Sequence, residues 1–275
     1  MCHYLWRCIM NVLITGASGG LGRALTIECA RRGYHLFLTD INKTGLESLR
    51  NGVERQFPVV VATMACDLTD DTDVDRLLAH LDTYGIQFDM LLNVAGLDFE
   101  GGFLEQSRKN VLTIVSLNIC ATLRITHAIL SRRAIGKSFS LVFVSSLASQ
   151  YPIPLKATYA ASKRFLLDFA YALGEELKNR HVHVLAVCPG GLVTTRDAMD
   201  GIKAQGIWGD MTTNRIEVVT RNTIDRALAG KLVYIPGIAN RILSLFGHLL
   251  PRTFITMVLY KRWTRSQGKW LDIGA

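Results

Sequence analysis

NVLITGASGGLG, residues 11–22, is the stretch on which the fold turns. Its first five residues make an apolar strand pattern. From Leu21 to Arg32 the spacing becomes helical, with Leu21, Leu25, Ile27 and Cys29 among the apolar positions. Gly16, Gly20 and Gly22 occupy the junction. Residues without a Cβ let backbone amides close on a pyrophosphate at a helix N-terminus. The spacing is G-x-x-x-G-x-G rather than G-x-G-x-x-G, and glycine also serves plain tight turns. Its place in the first strand–helix unit favours a nucleotide.

Working outward, HLFLTD (35–40), PVVVATMACD (58–67), DMLLNVAG (89–96), SLVFVSS (140–146), VHVLAVCPG (182–190) and KLVYIPG (231–237) read as further strands. Helices are predicted over 43–56, 71–84, 108–133 and 158–178. Apolar strands alternating with helices specify a parallel sheet covered on both faces. Right-handed crossovers make it doubly wound: a seven-stranded, Rossmann-type α/β sheet in a single domain over 1–275. Such sheets bind ligands outside the carboxyl ends of their strands. Every motif singled out below falls at such an end or at the start of the next helix.

The chain has 275 residues, 49% apolar and 20% charged, enough for one sizeable core and without repeats or disorder-like composition. Its net charge of +8 gathers late: after Gly230 come seven basic residues against Asp272 alone. Such a patch suits nucleic acid, an anionic membrane or an acidic partner. The six cysteines show no CxxC and no Cys/His ligand spacing, and the histidines form no ligand pattern, so no disulfide framework or metal site is expected. Residues 1–10 lack a signal-peptide core, and no uncharged apolar run reaches the ~18 residues of a spanning helix. A cytoplasmic protein is the expectation.

YAASK, residues 159–163, sets a phenol and an ammonium group four positions apart on one helix face. Spacing alone fits a chance surface pair. A phenol with a pKa near ~10 is, however, a poor proton shuttle until a nearby cation eases its ionisation. TGASGGLG, NVAG (93–96), Asn118, Ser146, YAASK and PGGLVT (189–194), taken together over residues 10–195, resemble the short-chain dehydrogenase/reductase family in order and spacing. A serine thirteen residues before Y-x-x-x-K, with TGxxxGxG upstream, is the specific part.

The resemblance implies a catalytic set of Asn118, Ser146, Tyr159 and Lys163. Tyr159 would pass a proton to a carbonyl oxygen, or take one from an alcohol. Lys163 would lower the phenol pKa and bond the nicotinamide ribose. Ser146 would donate to the reacting oxygen. Asn118 would break helix geometry so that water reaches Lys163. Cofactor contacts are implied for Gly16, Ser18, Gly20, Leu21 and Gly22, for Asp67 and Leu68 at the adenine, and for Asn93, Ala95 and Gly96. Pro189, Gly190 and Thr194 would follow at the carboxamide. Val94 stands where the family commonly has a second asparagine. Asp40 ends the second strand, where a carboxylate bonds both ribose hydroxyls of NAD and repels the extra phosphate of NADP; with Ile41 after it, NAD is expected over NADP.

Residues 195–225 fall where the family places a substrate lid. Met199, Ile202, Ile207, Trp208 and Met211, with Leu97, Phe99, Tyr151 and Leu155, would make an apolar wall for a steroid- or lipid-like substrate. The resemblance therefore implies NAD-dependent interconversion of a ketone and a secondary alcohol, by a homodimer or homotetramer without nucleic acid. A 3-oxoacyl thioester is the alternative substrate, and a non-catalytic nucleotide sensor the alternative class. An apolar and basic extension over 238–275 departs from the family's usual ending. Its 240–265 stretch suits either a membrane surface or a second subunit.

Overall fold

A computed structural model describes residues 10–193 and 207–266. Its strands are β1 Asn11–Thr15, β2 His35–Asp40, β3 Val61–Ala65, β4 Met90–Asn93, β5 Phe139–Val144, β6 Val182–Val187 and β7 Val233–Tyr234. All pair in parallel, in the order β3-β2-β1-β4-β5-β6-β7. The order reverses between β1 and β4, which opens a crevice at their carboxyl ends. Around the sheet lie α1 Gly20–Arg31, α2 Lys43–Gln56, α3 Asp71–Thr83, α4 Arg108–Val115, α5 Thr122–Leu130, α6 Ala157–Leu177, α7 Ile207–Thr212, α8 Ile216–Leu228, α9 Ile238–Leu249 and α10 Arg252–Ser266.

The period of two along each strand divides the core into two layers. Val12, Ile14, Leu36, Leu38, Met90 and Leu92 join Leu25, Cys29, Leu46, Leu49 and Ile224 on one face. Leu13, Phe37, Leu91, Leu141 and Phe143 point the other way, onto Val74, Leu77, Ile125, Leu166 and Leu167. A strand with no polar side is the outcome of burial on both faces. Side-chain caps fix three helix starts: Asn42 accepts from Gly45 N, Asp70 from Asp73 N and Ser107 from Asn110 N.

Three expectations need correction. The run at 58–67 yields a shorter strand, because Pro58 offers no amide and pairing with β2 begins at Val61. The helix expected over 108–133 is not one α-helix: a π-helical stretch, Ser116–Ala121, separates α4 from α5. By length and composition Arg108–Leu130 could cross a membrane. Here Ile114, Ala121, Ile125 and Ile129 bury it in the core, which accounts for its apolarity. The last third of the expected lid is body, not cover. α8 buries Val219, Ile224 and Ala227 in the first core layer, and Arg32, just past α1, pairs with its Asp225 at 2.8 Å.

Candidate active site

The glycine loop turns where β1 meets α1. Gly16 has φ +62°, and a Cβ there would stand 2.7 Å from Ala95 Cα; one on Gly22 would stand 2.0 Å from Gly16 O. Only glycine permits this approach of loop, helix start and β4 end. Thr15 Oγ1 accepts from Val94 N and Ala95 N, so the NVAG turn is tied to the loop through its backbone, and Val94 costs it nothing there. Asn93 donates to Thr126 Oγ1 at 3.0 Å, fastening β4 to α5. Asp40 lies beside the loop: its carboxylate accepts from Ser18 N at 3.0 Å and from Asn42 N at 2.9 Å.

Asp67 accepts from the amide and hydroxyl of Thr69, while the helix cap falls to Asp70. The Leu68 side chain is buried in the core, and its carbonyl accepts from Arg124 at 3.3 Å. Leu21 packs partly buried against the first core layer. Gly190 N donates to Asn214 Oδ1 at 3.0 Å, and Pro189 O accepts from Leu147 N at 2.8 Å. Thr194, Met199 and Ile202 lie outside the described residues, as do the side chains of Ile207 and Trp208.

Four residues converge at the ends of β4 and β5. Asn118, fully buried in the π-helical stretch, clasps Leu97 through both its amide and its carbonyl, at 2.9 and 3.0 Å, and donates to Ser162 Oγ at 3.0 Å. A Cβ on Gly96 would lie 3.1 Å from Asn118 Oδ1 and equally from Lys163 Nζ, so the backbone at Gly96 passes over both. Lys163 Nζ donates to Val144 O at 2.9 Å. Ser145 and Ser146 divide the work after β5. Ser145 Oγ donates to Lys163 O at 2.7 Å, whereas Ser146 Oγ accepts from Ala148 N and acts to lower the pKa of the Tyr159 phenol.

Two ammonium groups flank the phenol: Lys163 Nζ is 5.7 Å from the Tyr159 ring centre and Lys156 Nζ 5.8 Å. Lys156 pairs with Asp98 at 2.6 Å and Glu100 at 3.3 Å, and those carboxylates keep its pKa raised despite burial. Burial and then Asp98 push the Tyr159 phenol up, against Ser146 and Lys156, which pull it down. Burial lowers Lys163 to about 8. The cation that pulls the phenol down is Lys156. Sequence reasoning missed Asp98, Glu100 and Lys156, and with them the fact that the wall around Leu97, Phe99 and Leu155 is partly charged.

A glycine-lined loop at a switch point, with a serine, tyrosine and lysine at the neighbouring strand ends, defines a Rossmann-type dinucleotide-fold protein. Residues 10–203 match the short chain dehydrogenase family. The chain belongs to the short-chain dehydrogenase/reductase family, whose members are NAD(P)-dependent oxidoreductases. A very-long-chain 3-oxoacyl-CoA reductase of Laccaria bicolor is 31% identical over 62% of this chain and 52% of its own length. A sulfoacetaldehyde reductase of Chromohalobacter salexigens is 33% identical over 65% of this chain and 71% of its own. The chain thus spans about half the length of the 3-oxoacyl-CoA reductases it matches.

Among solved structures, the bulky-bulky ketone specific alcohol dehydrogenase of Comamonas testosteroni superposes with a TM-score of 0.74 at 25% identity, over 88% of this chain and 92% of that one. A short-chain dehydrogenase of Sphingobium yanoikuyae, in complex with NADPH, gives 0.71 at 26%, over 88% and 94%.

Proposed function

We propose that this chain interconverts a ketone and a secondary alcohol on an apolar substrate, using NAD(H). The observation that carries the reading is the meeting of Ser146, Tyr159 and Lys163 beside the glycine loop. A nicotinamide dinucleotide fits the residues present, since the loop's close approach leaves amides at the α1 N-terminus for phosphates and sets Asp40 beside them for a ribose. When bound, the dinucleotide supplies or takes up the hydride. Tyr159 then gives its proton to the carbonyl oxygen, or withdraws it from the alcohol, while the Ser146 hydroxyl holds that oxygen in place. Lys163 holds the ribose and Tyr159 in register. Asn118 fixes the Leu97 backbone around them. Asp40 supports NAD over NADP through like-charge repulsion of an extra phosphate.

Leu97, Phe99 and Leu155 support an apolar substrate. A 3-oxoacyl thioester is the second reading, favoured by the names of the reductases above; it keeps the same chemistry, because its reacting group is also a ketone. We place the activity in the cytoplasm, where unpaired Cys29, Cys66 and Cys188 stay reduced, and in a homodimer or homotetramer.

The test is a panel of bulky ketones, hydroxysteroids and 3-oxoacyl thioesters with NADH and with NADPH. Turnover is expected with NADH preferred, and Tyr159→Phe is expected to lower kcat at least ~100-fold with dinucleotide affinity kept within a few-fold. Turnover within tenfold of wild type in Tyr159→Phe would remove the tyrosine from the chemistry. Tight dinucleotide binding without turnover of any substrate would instead mark a nucleotide sensor.

A further inference from the structure

α9 is built inside-out. Its inward residues are polar: Asn240, fully buried, donates to Pro236 O at 2.8 Å and Thr212 O at 3.1 Å, and Ser244 donates to Gln150 Oε1 at 2.8 Å. Its outward residues are apolar, with Ile238 76%, Leu245 61% and Leu249 69% exposed and Ile242 and Phe246 beside them. A surface helix ordinarily turns such a stripe toward the core. Here hydrogen bonds hold the opposite face down. The apolar band runs on through Leu250 into α10, where Phe254, Met257, Val258 and Tyr260 are also exposed. Exposed apolar residues in such number mark a surface that something covers.

We propose that α9 and α10 dock on an anionic lipid bilayer beside the active site. Charge selects this occupant. From Ile238 to Ser266 there is no Asp or Glu, while Arg241, Arg252 and Lys261 stand exposed at the margins of the apolar band. Each cation near an anionic leaflet adds to binding, and the apolar side chains enter the acyl boundary. A second copy meeting this face through a two-fold axis would bring the same cations against one another. The location also fits. α9 rests on the Leu147–Gln150 turn that follows Ser146, and a Cβ on Gly247 would collide with the Tyr151 ring. The helix that carries the docked face therefore borders the site through its opposite side, and binding can be read independently of catalysis.

The experiment is flotation of the full chain with vesicles of phosphatidylcholine alone and of phosphatidylcholine with phosphatidylserine, at low and high salt, alongside light scattering. Binding is expected to anionic vesicles and to weaken with salt. Arg252→Gln/Lys261→Gln, at exposed positions the fold does not need, is expected to weaken it about fivefold per cation removed. Ile242→Glu/Phe246→Glu is expected to abolish it with dinucleotide affinity unchanged. Indifference to both vesicle types overturns the proposal, as does binding that neither variant alters. A lipid-indifferent dimer that Ile242→Glu/Phe246→Glu dissociates overturns it too, and gives the face to a second copy.

Discussion

At the scale of single residues, the phenol of Tyr159 sits between charges that oppose one another. Asp98 raises its pKa, Lys156 and Ser146 lower it, and burial raises it further. Glu100 pairs with Lys156 at 3.3 Å, and burial lowers Lys163 to about 8. On the proposed mechanism, alcohol oxidation, in which the phenolate accepts the proton, should rise with pH as Tyr159 ionises. Lys156→Met removes a cation and leaves Asp98 uncompensated, so the rising limb of kcat/KM should move to higher pH. Asp98→Asn should move it lower. Profiles that coincide with wild type in both variants would show that the cluster does not tune the phenol. The tyrosine, lysine and serine were legible because one helix turn and one strand end fix their spacing. Lys156 and Asp98 were not, since 58 residues separate them and only the packing of two loops brings them together.

Among the elements, strand positions were readable because burial on both faces leaves an unmixed apolar run. Their ends were less so: an apolar run does not record where a neighbour stops pairing, and β7 keeps only two of its expected residues. The break between α4 and α5 had one signal, the poor helix former Asn118. In the folded chain that asparagine satisfies both backbone groups of Leu97, which lies outside any sheet or helix. Asn118→Ala should therefore leave a donor and an acceptor without partners in a half-buried place, at a cost of about 1–3 kcal/mol in unfolding free energy. Urea unfolding measures this directly. A loss below ~0.5 kcal/mol would mean that the π-helical stretch stands without its side chain.

For the molecule as a whole, the site works against stability. Lys163 is almost fully buried, and burial, only partly offset by Asp98 and Cys188, lowers it from 10.5 to about 8. Below pH 8 the lysine is protonated in both folded and unfolded chains, and only the folded chain carries the cost of burying the charge. That cost is on the order of 3 kcal/mol. As pH rises from about 8 toward 10.5 the folded lysine becomes neutral first, and the cost fades. Lys163→Met never carries it but strands the Val144 carbonyl, a loss of roughly 1–3 kcal/mol at any pH. Near neutral pH the two effects largely cancel, so the variant should unfold at a denaturant concentration close to that of wild type. Toward pH 10 the wild type should gain on the variant by most of the fading cost. Titrations shared by both proteins drop out of the difference, which isolates Lys163. A stability difference that stays constant across that range would show that the buried ammonium carries no such cost.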